Sequence, residues 1–205
     1  SIKKSELEEI QGIIQVQNET AWLADTDINF CAQSFRSVGY RHPDAPTLTV
    51  LGSVLRNGFL HSAIREKGGA YGSGAIQDMS TKTFKFFSYR DPNIIKTFDA
   101  FNESINWALK SITKDKLEEG ILNIISSIDK PSSPASEALS DYNSNFNGYN
   151  QKMRKDFRNK VLETSIDKLT EVTKKYLLTD CKRSVISNEK AQDKLAKLNF
   201  DIKTI

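Results

Sequence analysis

The chain has 205 residues, 38% hydrophobic and 27% charged, and its 29 basic and 26 acidic side chains leave a formal charge of +3. That composition belongs to an ordinary globular domain and excludes collagen-like, mucin-like and wholly disordered chains; the length suits one domain that folds without staples. The charge is too balanced for a nucleic-acid footprint, and no apolar run of ~18 residues is present to cross a membrane.

Residues 2 to 17 read as a short amphipathic helix, with Ile2, Leu7, Ile10, Ile13 and Ile14 apolar, after an opening SIKKSELEE that lacks the apolar region of a signal peptide. Residues 28 to 37, INFCAQSFRS, read as a strand. Asp44-Ala-Pro46 opens a helix, because Asp caps well and Pro is tolerated in a first turn. Leu48, Leu51, Val54, Leu55, Phe59, Ala63 and Ile64 keep helical spacing to about Glu66, and Gly68-Gly69 ends the run. Ala70 to Gln77 and Lys82 to Arg90 read as two strands joined by the polar turn DMSTK. In the second, the aromatic cluster Phe84, Phe86, Phe87 and Tyr89 alternates, as a half-buried antiparallel strand requires.

Asp91-Pro92-Asn93 breaks that strand and caps a helix through Ile94, Phe98, Phe101, Ile105, Ala108 and Ile112. Another helix starts near Asp115, and Pro134 starts one through Ala138, Leu139 and Tyr142. Asn143 to Gln151 reads as a bend or loop. Two more helices follow, one with the Lys-rich solvated stretch Lys152 to Lys160 and the clearer one over Ser165 to Leu178. Arg183 to Ser187 is a final strand, with a charged helical tail after it. The expected class is α+β: a split β-α-β-β-α-β order with extra helices before the last strand, and an antiparallel-dominated sheet with helices packed on one face. The domain is assigned to residues 28 to 205, with 1 to 27 as an N-terminal segment or connection.

The chain has only two cysteines, Cys31 and Cys181, in no metal or redox spacing, and two histidines, His42 and His61, neither inside H-x-x-E-H. Reduced buried thiols suit a reducing interior. The residues supply no self-contained metal site, serine elbow or nucleotide phosphate loop. The segment that helix and strand grammar leaves unexplained is Arg65 to Gly74, REKGGAYGSG. It sets Arg65 on a last helical turn and Tyr71 at a strand start, with Gly68, Gly69, Gly72 and Gly74 around them. One reading is a peptide-facing ledge, in which a guanidinium and a phenol donate hydrogen bonds beside a groove that glycines keep open. Another is an ordinary helix cap, with Arg65 paired to a carboxylate and Tyr71 packed in the sheet. A phosphate site has the loop order wrong, because the loop leaves a helix C-terminus, which repels anions.

The string LRNGFLHSAIREKGGAYGSGA, followed by FKFFSYRDPNIIKTFDAF, resembles the C-terminal region of presequence protease-type enzymes, a branch of the pitrilysin/insulinase metallopeptidases. The resemblance covers about Asp27 to the C-terminus, with the SPA segment at Ser133 to Ala135 a weaker match. It implies a larger enzyme of four similar domains that closes around unstructured peptides, with zinc in an N-terminal half through H-x-x-E-H and a distal glutamate. This chain lacks that motif and would be the non-zinc part, inactive alone. It would supply Arg65 and Tyr71 for catalysis, and Arg65, Gly68, Gly69 and Tyr71 for substrate binding. With balanced charge and no long apolar run, no nucleic-acid or membrane partner is expected, and the cysteine usage suits a reducing interior: the cytoplasm of a bacterium or an organelle matrix of a eukaryote. A catalytically inactive, peptide-binding partner subunit of the same fold is the alternative.

Overall fold

Alternate burial along the strands builds the sheet. In β2 (Asn29–Arg36) the side chains of Asn29, Cys31, Gln33 and Phe35 turn inward, and in β4 (Thr83–Asp91) those of Phe84, Phe86 and Ser88 do the same. The computed structural model describes residues 19 to 146 and 148 to 204, so the helix expected over 2 to 17 lies outside the described residues. The sheet has six strands, in the order β3 (Gly72–Asp78), β4, β2, β5 (Cys181–Ser187), β1 (Glu19–Leu23) and β6 (Asp201–Thr204). The pairings β3–β4, β4–β2 and β2–β5 are antiparallel, whereas β1 pairs parallel with β5 and with β6. The α+β class and the antiparallel majority therefore stand as expected.

Two strands differ from the sequence reading. Glu19–Leu23, assigned to the N-terminal segment, is a strand between β5 and β6. The charged tail holds a short helix, α7 (Gln192–Lys197), and then β6, rather than helix alone. Ion pairing explains part of β1's placement: the Arg183 guanidinium on β5 donates to Glu19 at 2.7 Å across the parallel register.

The helices are α1 (Ala45–Leu55), α2 (Ile95–Lys110), α3 (Lys114–Ile128), α4 (Pro134–Phe146), α5 (Gln151–Leu162) and α6 (Ile166–Leu177). Helix α1 is buried on nearly every side, between the sheet and α3, α5 and α6, which explains why its sequence is apolar around its whole circumference. Gly120 of α3 permits that approach, since a Cβ there would come within 2.5 Å of Val54. The Phe86 ring packs on Phe35, Phe84 and Phe101, so the strand and α2 share one aromatic core. Helix α4 runs through Phe146, four residues into the expected loop, and buries nothing; Leu139, Tyr142 and Phe146 stand exposed along it.

The hairpin turn between β3 and β4 is built around Asp78. Its carboxylate accepts from Lys85 Nζ at 2.5 Å, from Ser80 Oγ at 2.6 Å and from the Ser80 and Thr81 amides. The Lys85 ammonium first, and then these donors, hold the Asp78 carboxyl well below the usual carboxylate range. A depressed folded-state value means the stabilisation is present above the unfolded value of about 4 and is lost as pH falls through the folded one. Asp78→Asn should therefore lower Tm at pH 6, with a gap to wild type that narrows steadily as pH falls below about 4. Thermal melts across that range check it; a gap that stays constant would remove Asp78 from the acid response.

Candidate functional site

The site begins with a change of helical pitch. After Leu55 the chain continues without a break as a wider helix over Arg56–Glu66, in which Lys67 N–H reaches the Ser62 carbonyl five residues back. Such wide turns are unusual and cluster at functional sites. The apolar spacing that predicts one regular helix to Glu66 holds only as far as Leu55. On the last wide turn, the Arg65 guanidinium donates from Nη1 to His61 Nε2 at 3.1 Å. Because a guanidinium has no acceptor, His61 Nε2 is the acceptor and its proton sits on Nδ1, which faces Glu66 Oε1 at 3.5 Å. His61 thus orients Arg65, a role the sequence reading missed although the two residues stand at i and i+4.

The glycine turn follows. Gly69 has φ of +79° and bonds back to the Arg65 carbonyl, while Ala70 N–H bonds to the Ile64 carbonyl. A Cβ at Gly68 would press within 2.5 Å of the Ile64 carbonyl oxygen, so both glycines answer to the backbone. The SYRDPN segment packs on this turn: Asn93 Nδ2 donates to the Gly68 carbonyl at 2.7 Å, and Pro92 lies beside Gly69. The two strings that carry the family resemblance are therefore one contact surface.

Gly72 and Gly74 do not keep a groove open. A Cβ on Gly72 would overlap the Tyr89 ring, and one on Gly74 would meet Phe87 at 2.7 Å. Aromatic side chains from β4 fill the space that the missing side chains leave, a known way to support glycine in a strand.

Between Asn29 and Cys31 of β2, the partner positions on β4 step from Asp91 to Ser88, so β4 carries one extra residue. This bulge, with Arg90 at φ +49°, turns both Tyr89 and Arg90 to the outer face. A non-glycine residue in that region is strained and marks a constrained position. Tyr71 stands between them, its ring centroid 5.6 Å from that of Tyr89 and 5.5 Å from the Arg90 guanidinium carbon. The Tyr71 residue is 64% exposed, and its hydroxyl has no hydrogen-bond partner among the described residues. Tyr71 is not packed into the sheet; it is a braced ring with a free donor. Arg65 is exposed as well, on the helix end that leads into the same turn, and makes no ion pair with a carboxylate among the described residues.

Asp91 belongs to the scaffold. It is fully buried, with Oδ1 accepting from Asn93 N–H at 2.8 Å and Oδ2 from Thr97 Oγ1 at 2.7 Å. Cys31 lies beneath it, and burial, followed by the Asp91 charge, pushes its thiol up to about 12. Cys31 and Cys181 are both free, and no group of three or more His, Cys, Asp or Glu side chains among the described residues could hold a metal ion.

The fold and this turn have relatives. The family model described as PreP C-terminal domain matches residues 20–187. The chain belongs to that family. It is 34% identical over 162 residues to the mitochondrial presequence protease of Mus musculus, a match covering 78% of this chain and 15% of the relative. To the mitochondrial presequence protease of Eremothecium gossypii it is 32% identical over 197 residues, covering 86% of this chain and 20% of the relative. The chain thus spans about a fifth or less of the relatives it matches. A solved peptidase M16 inactive domain from Pseudomonas fluorescens superposes with a TM-score of 0.63 at 14% identity, covering 83% of this chain and 43% of that one. At that identity the likeness concerns the fold. The PreP C-terminal domain fold accounts for the helix–turn–hairpin on which Arg65 and Tyr71 stand.

Proposed function

We propose that this chain is the non-zinc C-terminal domain of a larger metalloendopeptidase for unstructured peptides, in which Tyr71 and Arg65 hold the substrate backbone next to the cleaved bond. The observation that carries this reading is the free Tyr71 hydroxyl, on a ring fixed between Tyr89 and Arg90 and turned to solvent. A tyrosine that only packs has no need of a strained bulge to brace it. Tyr71 Oη–H donates to the oxygen of the attacked carbonyl as negative charge develops there, and a braced donor needs no reorganisation at that moment. Arg65, aligned by His61, donates to a neighbouring peptide carbonyl. Gly68 and Gly69 leave the intervening turn bare, so an extended chain can lie against it.

The described residues do not fit a zinc site, since His61 is engaged by Arg65 and Glu66 and no third ligand joins them. The chemistry assigned to this chain is hydrogen bonding, and any zinc belongs to the rest of a longer polypeptide. That remainder is the partner we assign to the exposed stripe of Leu139, Tyr142 and Phe146. The mitochondrial relatives and the two free thiols support an organelle matrix as the compartment.

The test is cleavage of a quenched, unstructured peptide by the polypeptide that carries this domain at its full length. Chelator-sensitive cleavage is expected, and Arg65→Ala should lower kcat/KM about tenfold or more, largely through KM. Unchanged kinetics in that variant would take Arg65 out of the site. No cleavage by the folded, zinc-loaded protein would make this domain a structural, peptide-binding partner instead.

A further inference from the structure

At the far end of the β3–β4 hairpin from Tyr71, three loops converge on a cleft of about 780 Å³, lined by Tyr40, Arg41, His42, Met79, Lys82 and Tyr149 among others. Its aromatic wall is built. Tyr40 packs on Tyr149, with centroids 4.0 Å apart, and stacks on Phe157, 4.9 Å away and nearly parallel. Its floor is pinned by the buried Gln77, which accepts from Ser37 Oγ at 2.6 Å and donates to the Val38 carbonyl at 2.7 Å.

The charges at this cleft do not cancel. Each nearby carboxylate is already matched: Asp78 by Lys85 and the hairpin turn, Asp44 by Lys175 and Tyr176 at 2.7 Å each. The two cations are not. Arg41 makes only a long bond, 3.4 Å, to the Gly148 carbonyl, and Lys82 has no ion-pair partner among the described residues. Lys82 is also held at φ +54°, and its side-chain carbons lie against Gly39 on the opposite loop.

The hairpin turn favours an anion of low charge. Phosphate groups are commonly cradled by free amides. Here several amides are already taken: His42 N–H goes to the Gly39 carbonyl, Asp44 N–H to His42 Nδ1, and Tyr149 N–H to the Ser144 carbonyl. The Ser80 and Thr81 amides go to Asp78, whose own charge stands behind the turn and opposes a dianion. The side chains offer one planar guanidinium and one ammonium beside aromatic and thioether surface. That set suits a carboxylate carried on an apolar body.

We infer that this cleft anchors a peptide carboxylate, from a free C-terminus or an acidic side chain, on Arg41 and Lys82. Strand β3 runs from the Tyr71 end to this cleft; seven strand residues cover roughly 23 Å. If the proposed function holds, the anchored carboxylate would lie about seven residues from the cleaved bond. The cleft itself does not depend on that reading.

The experiment is fluorescence polarisation of the 205-residue chain with a labelled, unstructured neutral peptide in three forms: free carboxyl end, amidated end, and amidated end with one internal Glu. Binding of the first, the third or both at least tenfold tighter than the second is expected, and the pattern names the source of the carboxylate. Arg41→Gln with Lys82→Gln should weaken that binding about tenfold with an unchanged circular dichroism spectrum. Lys116→Gln, a cation outside the cleft, should not. Binding is read without cleavage, which separates this site from the catalytic reading. Equal binding of acid and amide forms, indifference to the double variant, or displacement by inorganic phosphate at concentrations comparable to the peptide would each overturn the assignment.

Discussion

Replacing Tyr71 by phenylalanine should lower turnover of the full-length peptidase about 10²–10³-fold, with KM nearly unchanged. The size is that of removing one donor from a developing oxyanion. The change deletes a hydroxyl with no partner among the described residues, so the ring contacts with Tyr89 and Arg90 persist and the melting temperature should move by less than ~2 °C. Steady-state kinetics on a quenched peptide and a thermal melt of the same sample check both halves. Near-normal turnover would leave Tyr71 as a surface aromatic. A large fall in Tm would mean that the hydroxyl has a structural duty, contrary to the geometry.

Asp91→Ala should do the reverse: it should damage the fold first and activity only as a result. The substitution strips a fully buried carboxylate from Asn93 N–H and Thr97 Oγ1 and leaves both donors unsatisfied. Hydrogen bonds to charged groups are worth roughly 1.5–3 kcal/mol each, so a loss of about 3 kcal/mol is expected. In a domain of this size that corresponds to a fall in Tm of roughly 6–12 °C. Because Asp91 sits between the bulge that aims Arg90 and the Asn93 contact to the Gly68 carbonyl, the ledge should loosen with it. Urea unfolding alongside kinetics separates the two effects. Lost activity at wild-type stability would make Asp91 a member of the site.

Most of the architecture was legible because its signals are local. Alternation in Phe84, Phe86 and Ser88 and the Gly68-Gly69 stop need only a few residues to be read, and each marks a real element. The missed elements depend on distant partners. Glu19–Leu23 becomes a strand because β5, more than 150 residues later, offers an edge and an arginine for Glu19; nothing within the segment itself fixes that. The stop expected at Asn143 failed because polar residues are compatible with an exposed helix, and α4 is exposed throughout. The widened helix before Arg65 leaves no mark in apolar spacing. At the site, the residue types of Arg65 and Tyr71 drew attention, but their supports lay elsewhere. His61 was read only as standing outside a zinc motif, and the bulge that places Tyr89 and Arg90 on either side of Tyr71 arises from a one-residue mismatch between two strands. Gly72 and Gly74 were misjudged for the same reason, since the rings that fill their space come from another strand.

The position of β5 sets an order on assembly. Strand β2 pairs with β4 on one side and with β5 on the other; β1 reaches the sheet through β5, and β6 through β1. During synthesis on the ribosome the hairpin and β2 can join early, but the other edge of β2, with Phe30 among its side chains, must stay unpaired until residue 187 has emerged from the exit tunnel. Such long-separated pairings are slow, and an open edge is a template for wrong partners meanwhile. A nascent chain of this family is therefore most exposed to aggregation in the interval before its last strands are released, when a holding chaperone would be of most use to it.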